Sequence, residues 1–177
     1  MIDLFQLKLT LHAGELCWMS NYAGIYPIAL TTFDEHYEVD EHSQLALINY
    51  LLECGAHGIA IFGNASEGYT LSEAEKSRLM SLIIKEVRKR VPVFVSTGHT
   101  GTHVAVKLSK AAQAAGADGL MILPPYFLKP SAEDLFGYYK MISEAVSIPI
   151  WVGSAKSLIC LAQFCFPRPH LKNRALS

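Results

Sequence analysis

The sequence lacks the motifs that mark metal-binding, disulfide-bonded and nucleotide-binding proteins. Its four cysteines include no C-x-x-C pair, so neither a zinc site nor a disulfide framework is indicated, and reduced thiols in a cytoplasm are expected. It contains neither G-x-G-x-x-G nor G-x-x-x-x-G-K-[ST], so nucleotide binding has no motif to support it. No cofactor and no metal are therefore predicted.

The sequence also lacks an excess of one charge and a long apolar run near its start. The formal net charge of −1 provides no basic field for nucleic acid or anionic lipid. Residues 1–18 have Asp3 early, no basic n-region, and no uncharged stretch long enough to cross a bilayer. We expect a soluble protein that acts on a small molecule, without nucleic-acid or membrane partners.

What the sequence does contain is a regular alternation of apolar runs and helical stripes. Its 177 residues fall short of the roughly 250 of a complete eight-fold barrel, so one domain or part of one is expected. Five apolar runs start 28 to 33 residues apart, which is the period of a strand, helix, strand unit. These runs are 26–31, 58–63, 91–96, 119–124 and 148–152.

Helix signals lie between the predicted strands. An apolar stripe predicts a helix over Ser43–Glu53, and the capping box Ser72 to Glu75 starts the next one. A third helix is predicted over Thr102–Ala115, with Gly116 ending it, and Ser131 caps a fourth.

The strand pattern indicates the fold class. Each strand is apolar on both faces, which favours a parallel sheet covered by helices, and uniform spacing without a long crossover favours a barrel. We predict an α/β fold, a partial TIM (β/α)8 barrel of about five strand-helix units. A doubly wound binding domain is the alternative, and its strand order would reverse at a switch point.

One short motif recurs. Gly55-Ala-His-Gly58 and Gly116-Ala-Asp-Gly119 lie 61 residues apart, before the second and fourth predicted strands. This spacing is expected if every second unit of a barrel is built alike.

Candidate site residues follow the strands, because barrel chemistry lies at their C-terminal ends. Gly63 to Gly68 forms a small-residue turn whose backbone N–H groups can face a carboxylate, with Asn64 or Ser66 adding side-chain bonds. The alternative is a loop that merely turns. After the fourth strand, two prolines direct Tyr126 and Phe127 towards the barrel mouth or a subunit boundary, although core packing is favoured for Phe127.

Two histidines lie close together in the sequence. His99 and His103 lie four residues apart at a helix start, but Gly101 stands between them and the glutamate of a zinc-protease motif is missing. Solvated or capping histidines are therefore favoured over a metal pair.

In this order, the residues over 24–150 resemble the dihydrodipicolinate synthase and N-acetylneuraminate lyase family. The family's strand-two signature of glycine, threonine or serine, threonine, glycine and glutamate aligns with residues 63–67, where Gly63 and Glu67 are identical. The family's proline and two tyrosines match Pro125, Tyr126 and Phe127. Pro27 matches its opening strand, and residues 96–98 match the end of its third strand.

The resemblance implies a cofactor-free lyase or aldolase of pyruvate or a related 2-oxo acid, and a homo-oligomer in the full-length form. In the family a lysine on strand six forms a Schiff base with the substrate, and tyrosine assists proton transfer, a role that falls here on Tyr126. The strand-two turn binds the substrate carboxylate, which assigns that role to four residues: Gly63, Asn64, Ala65 and Ser66.

The sequence departs from the family at three places. Asn64 and Ala65 stand where the family usually has two hydroxyl residues, which points to a subgroup that handles sugar-acid derivatives. Gly153 stands at the position of a catalytic tyrosine. Lys156 follows too early in the chain to be the strand-six lysine.

These departures define the expected domain organisation. Residues 1–18 are predicted to be an N-terminal extension, with translation starting at Met19; the alternative is a short extra helix packed on the barrel. Residues 19–152 are predicted to be the partial barrel. Residues 153–177 show no strand-helix pattern and resemble an out-of-frame translation, so a premature terminus is expected. The alternative to the lyase is therefore a catalytically inactive fragment or an interaction module.

Overall fold

A computed structural model describes residues 22–125, 127 and 130–153 in full and residues 161–163 for the backbone alone. Helices and strands alternate along the chain. The helices are α1 (Glu41–Glu53), α2 (Glu73–Val87), α3 (Thr102–Ala115) and α4 (Ala132–Ala145). The strands are β1 (Ile59–Ile61), β2 (Val93–Ser96), β3 (Gly119–Ile122), β4 (Ile150–Gly153) and β5 (Leu161–Gln163).

The first four strands form a parallel sheet in which each strand pairs with its neighbour in sequence. Val95, for example, lies opposite Ile61 on one side and Leu120 on the other. No switch point interrupts the order β1-β2-β3-β4 among the described strands, as it would in a doubly wound sheet. The predicted parallel α/β architecture is confirmed.

The first predicted strand, 26–31, is reduced to a single parallel bridge between Ile28 and Ala60. Two backbone hydrogen bonds accompany it, from the Ala29 amide to the Ala60 carbonyl and from the Ala60 amide to the Pro27 carbonyl. Pro27 has no N–H to donate, so the regular ladder is interrupted at this residue. We call residues 22–31 the entry segment.

β5 is an element that the sequence analysis missed. It pairs antiparallel with β4, with Ala162 opposite Val152, and no apolar run of the sequence predicted it. The edge of β4 offers unpaired N–H and C=O groups, and an antiparallel return needs no crossover helix. The direction of β5 also differs from that of a sixth barrel strand, which would run parallel.

Local sequence signals explain most helix ends. The capping boxes of α2, from Ser72 to Glu75, and of α4, from Ser131 to Asp134, are both formed. α3 has the predicted bounds and ends at Gly116, whose φ of 97° is left-handed. α1 begins two residues earlier than predicted, because the Asp40 side chain accepts a hydrogen bond from the Ser43 amide and acts as its N-cap.

The core has two parts, one on each face of the sheet. Strand residues that face the helices form the larger cluster, which includes Ile59, Val95 and Ile122. Those that face the barrel interior form the smaller cluster of Ala60, Phe94, Met121 and Trp151. This alternation follows from the two-residue period of a strand, and burial of both faces explains the continuous apolar runs of the sequence. Within the described ranges, no helix is both long and apolar enough to cross a membrane.

The end of α2 supports a stability prediction. Arg88 caps this helix with a φ of 51°, a left-handed conformation that favours glycine. Replacing Arg88 with glycine is expected to raise the free energy of unfolding by about 0.5 to 1 kcal/mol, because the backbone strain is removed. Chemical denaturation would measure this. The same replacement at Lys85, inside α2, should instead lower it by about 1 kcal/mol, and a loss at both positions would contradict the prediction.

Candidate functional site

The C-terminal ends of the four parallel strands open into one cavity of about 1210 Å³. This is the end of the sheet at which barrel enzymes place their chemistry. The strand exits line it with 11 residues: Gly63, Asn64, Ala65, Ser96, Thr97, Gly98, His99, Leu123, Pro124, Pro125 and Gly153. Side chains of α2 and α3 extend the lining outward, among them the cationic side chains of Lys76 and Lys107.

The exit of β1 is a tight turn. Residues Asn64–Ser66 form one turn of 3-10 helix, closed by bonds from the Ser66 amide to the Gly63 carbonyl and from the Glu67 amide to the Asn64 carbonyl. Among the described residues, the amides of Asn64 and Ala65 have no acceptor. Both residues line the cavity and are exposed, so these two N–H groups are available to an anionic ligand.

Ser66 is the last residue of this turn, and it does not line the cavity. It is buried, and its hydroxyl donates to the Ala29 carbonyl at 2.5 Å. The Thr31 hydroxyl in turn donates to the Ser66 carbonyl at 2.6 Å. The cavity is thus lined by three of the four predicted substrate-binding residues, Gly63, Asn64 and Ala65, while Ser66 attaches the turn to the entry segment.

The entry segment is itself fixed by a buried glutamine. The side-chain Nε2 of Gln44 donates to the Leu30 carbonyl at 3.0 Å, and its Oε1 accepts from the Thr32 backbone amide at 3.1 Å. Gln44 is only 1% exposed. The role of Gln44 was not predicted, because a polar residue beside an apolar helical stripe gives no indication of its hydrogen-bond partners.

The exit of β2 is fixed by contacts that the sequence did not indicate. The Thr97 and Ser109 hydroxyls, both buried, form a hydrogen bond of 2.8 Å that joins the loop to α3. The Tyr138 hydroxyl of α4 donates to the His99 carbonyl and accepts from its amide. Burial raises the pKa of the Tyr138 phenol above its usual value, so the hydroxyl keeps its proton for this bond.

The His99 side chain accepts a hydrogen bond from the Gly101 amide at 2.9 Å. Gly101 is itself the N-cap residue of α3, which has no side-chain cap, so this bond closes the turn before the helix. His103 is exposed at the cavity wall. Within the described part of the chain, no group of three His, Cys, Asp or Glu side chains is arranged to hold a metal ion.

At the exit of β3, Pro124 and Pro125 line the cavity. The catalytic candidate Tyr126 lies outside the described residues. Phe127 is 81% exposed, so the prediction of core packing for this residue was wrong. The buried strand β3 ends at Ile122, five positions before Phe127.

The exit of β4 places Gly153 against the cavity. A Cβ atom at this position would lie 2.6 Å from Leu123 Cδ2, closer than van der Waals contact allows. The Leu123 side chain thus occupies the space that a side chain at position 153 would need.

Comparisons with known proteins agree with this geometry. The model of the Dihydrodipicolinate synthetase family matches residues 21–158. A 4-hydroxy-tetrahydrodipicolinate synthase of Syntrophus aciditrophicus is 41% identical over 123 residues, which are 70% of this chain and 42% of the relative. The same enzyme of Bacillus subtilis is 37% identical over 130 residues, covering 73% of this chain and 45% of the relative.

Solved structures give a similar result. A dihydrodipicolinate synthase of Bacillus anthracis has a TM-score of 0.70 at 35% identity, covering 73% of this chain and 44% of its own. A prophage protein of the dihydrodipicolinic acid synthase family from E. coli K12, solved in complex with pyruvate, has a TM-score of 0.72 at 32% identity and covers 74% and 44%. The chain spans less than half the length of these relatives.

Proposed function

Because the chain belongs to the dihydrodipicolinate synthetase family, we propose that it forms the carboxylate-binding part of a carbon–carbon lyase or synthase. The substrate is pyruvate or a related 2-oxo acid, and the chemistry proceeds through a lysine Schiff base in a form of the protein that has the whole barrel. The observation that carries this proposal is the pair of amides at Asn64 and Ala65 on the cavity wall, which have no acceptor among the described residues.

The turn suits a carboxylate for three physical reasons. Two adjacent N–H groups can each donate to one carboxylate oxygen, and bonds to a charged acceptor are about twice as strong as neutral ones. Ser66 and Thr31 hold the turn in place, so little entropy is lost when a ligand binds. Lys107 on the same cavity adds positive potential for an anionic substrate, whereas Lys76 is paired with Glu73, also on the cavity wall, at 3.3 Å.

The reaction that we propose uses a lysine amine to attack the substrate C2 carbonyl, with loss of water. The resulting iminium withdraws electrons, so a carbon–carbon bond at C3 can form or break. We assign the proton transfers of this sequence to Tyr126 and the lysine to the barrel's later part. No cofactor is needed, because the protonated Schiff base is the electron sink.

The substrate class is proposed from the turn and from the relatives. The prophage relative was solved with pyruvate, and a Clostridium difficile neighbour, 26% identical, was solved with mannosamine. Asn64 and Ala65 replace the family's two hydroxyl residues, which favours sugar-acid derivatives over the substrate of lysine synthesis.

We further propose that the complete form is a homo-oligomer, with the exposed Phe127 directed at a subunit boundary. The exposed thiol of Cys54 is free, as is common in a reducing cytoplasm, where we place the enzyme.

A catalytically inactive fragment or interaction module is the second candidate. Gly153 favours it, because the resemblance places a catalytic tyrosine at this position, and the Leu123 side chain would have to shift to admit any side chain there. The described residues then retain substrate binding without turnover.

Borohydride trapping separates the two candidates. The chain is incubated with pyruvate and sodium borohydride, and its intact mass is measured. A lysine-linked pyruvyl adduct would show that this chain itself forms the Schiff base. An unmodified mass, with pyruvate binding retained, would establish the non-catalytic alternative.

Ala65 provides a direct test of the carboxylate turn. Replacing Ala65 with threonine restores a hydroxyl at the cavity wall, and one further bond to a charged ligand should tighten pyruvate binding roughly tenfold. The Ala65→Val variant has the same shape without the hydroxyl and should bind like the wild type. Isothermal titration calorimetry measures both dissociation constants. Equal affinities of the threonine and valine variants would contradict the assignment.

A further inference from the structure

The repeated Gly-Ala-x-Gly motif builds the same attachment twice. The third residue of each copy is hydrogen-bonded to a residue on the neighbouring strand through both its backbone and its side chain. The His57 amide donates to the Ile25 carbonyl at 2.9 Å, and the Ile25 amide donates to His57 Nδ1 at 3.1 Å. The Asp118 amide donates to the Val93 carbonyl at 2.9 Å, and the Val93 amide donates to Asp118 Oδ2 at 3.0 Å. We call each pair of bonds a latch.

The final glycine of each motif has an equivalent role. A Cβ atom at Gly58 would overlap the ring of Tyr26, and a Cβ atom at Gly119 would overlap the ring of Phe94. Each aromatic residue directly follows the latched residue in sequence. Both rings pack in the barrel interior, where Tyr26 makes edge contacts with Phe94 and Trp151. Each latch therefore positions the start of one strand and the aromatic ring that follows it.

The two latches differ in the chemistry of the acceptor. Aspartate is ionised and accepts hydrogen bonds at all pH values well above about 4. Histidine ordinarily changes charge between about pH 5 and 8, and both nitrogens of a protonated imidazole are donors. A proton on His57 Nδ1 would face the Ile25 N–H, so two donors would oppose each other and the bond would be lost.

We infer that the His57 latch is a pH-sensitive attachment of the entry segment, which is closed when the imidazole is neutral and opens when it takes up a proton. The Asp118 latch, whose acceptor is a carboxylate, is its counterpart. Because a proton on Nδ1 removes the acceptor of the His57 bond, the attachment is expected to be closed at higher pH and open at lower pH. Ala29, on the same segment, supports the substrate-binding turn through Ser66, so the latch lies on the segment that positions the cavity wall.

Other titratable groups lie close in sequence to the two latches. Tyr22 and Tyr26 belong to the entry segment, Glu53 is the last residue of α1, and Cys54 is its C-cap. Lys89 pairs with Asp118 at 2.6 Å, and Asp118 in turn acts on Tyr26, whose pKa is raised chiefly by burial and further by Tyr22 and Asp118. His57 itself takes part in no ion pair with the described residues, so its protonation is not offset there by a carboxylate.

Amide hydrogen exchange of the full chain tests the inference, with the second latch as an internal control. After correction for intrinsic exchange, protection of the Ile25 amide, whose bond to His57 is exposed, should fall about two- to tenfold between about pH 7.5 and 5.5, while protection of the Val93 amide stays constant. The His57→Asp variant makes the two latches alike and should abolish this pH response. His57→Asn, whose side-chain oxygen accepts at any pH, should do the same if the aspartate variant fails to fold.

Two results would overturn the inference. One is equal protection of the Ile25 amide at both pH values in the wild type. The other is an unchanged pH response in the folded His57 variant, which would place the titrating group elsewhere. Neither result depends on pyruvate binding or on the borohydride experiment, so the inference and the proposed function fail separately.

Discussion

Replacing Phe94 with alanine is expected to lower the free energy of unfolding by about 3 to 5 kcal/mol, which is a large part of the stability of an ordinary domain. Phe94 is completely buried in the barrel interior. It stacks on Trp151 with ring centroids 3.8 Å apart and receives the edges of Tyr22 and Tyr26. Truncation removes the ring from the centre of this cluster, and its neighbours are held by strands that cannot close the cavity.

Phe127 provides the matched control, because it is a phenylalanine that is 81% exposed. Its replacement by alanine should change the free energy of unfolding by less than about 0.5 kcal/mol. Denaturant titration followed by circular dichroism measures both variants. Similar losses at the two positions would contradict the assignment of Phe94 to the centre of the inner core.

Replacing Gln44 with leucine is expected to lower the free energy of unfolding by about 2 to 3 kcal/mol. The volume is nearly retained, but the Thr32 amide and the Leu30 carbonyl lose their partner. Both bonds are partly buried, so each backbone group left without a partner costs about 1 kcal/mol or somewhat more, the lower part of the range for buried groups. Because the entry segment supports the turn at Ser66, pyruvate binding should weaken in the same variant.

Gln113 is the corresponding control in α3. Its side-chain oxygen accepts from the Ser147 amide, but that bond is exposed, so water replaces it in the Gln113→Leu variant. A loss below about 1 kcal/mol and unchanged pyruvate affinity are expected there. If the Gln44 and Gln113 variants behave alike, the entry segment is not held by the buried amide.

The sequence predicts those parts of the fold that depend on neighbouring residues. The capping box at Ser72 and the helix end at Gly116 are formed as predicted, because the residues that satisfy the backbone lie within four positions of each other. The early start of α1 was not predicted, because Asp40 and Glu41 precede the apolar residues from which the helix was predicted to begin at Ser43. The parallel order of the strands was predicted from their spacing and from their apolar character on both faces.

The candidate site was less predictable, because its side chains are oriented by distant partners. Nothing in the turn sequence shows that the Ser66 hydroxyl is directed at Ala29, 37 residues away, rather than at the cavity. The bonds between Tyr138 and His99 span 39 residues and have no local signal. Phe127 was predicted to pack in the core because it is aromatic. It lies five positions beyond the end of β3, and its side chain is exposed.

The measurement that tests the carboxylate turn most directly is an amide chemical-shift titration with pyruvate. The N–H groups of Asn64 and Ala65 should shift saturably and more than other backbone amides, because each donates to a carboxylate oxygen. Acetone, which has the ketone but no carboxylate, should leave both unchanged. If pyruvate moves neither amide, or if acetone moves them equally, the turn does not bind the carboxylate and the proposed function loses its site.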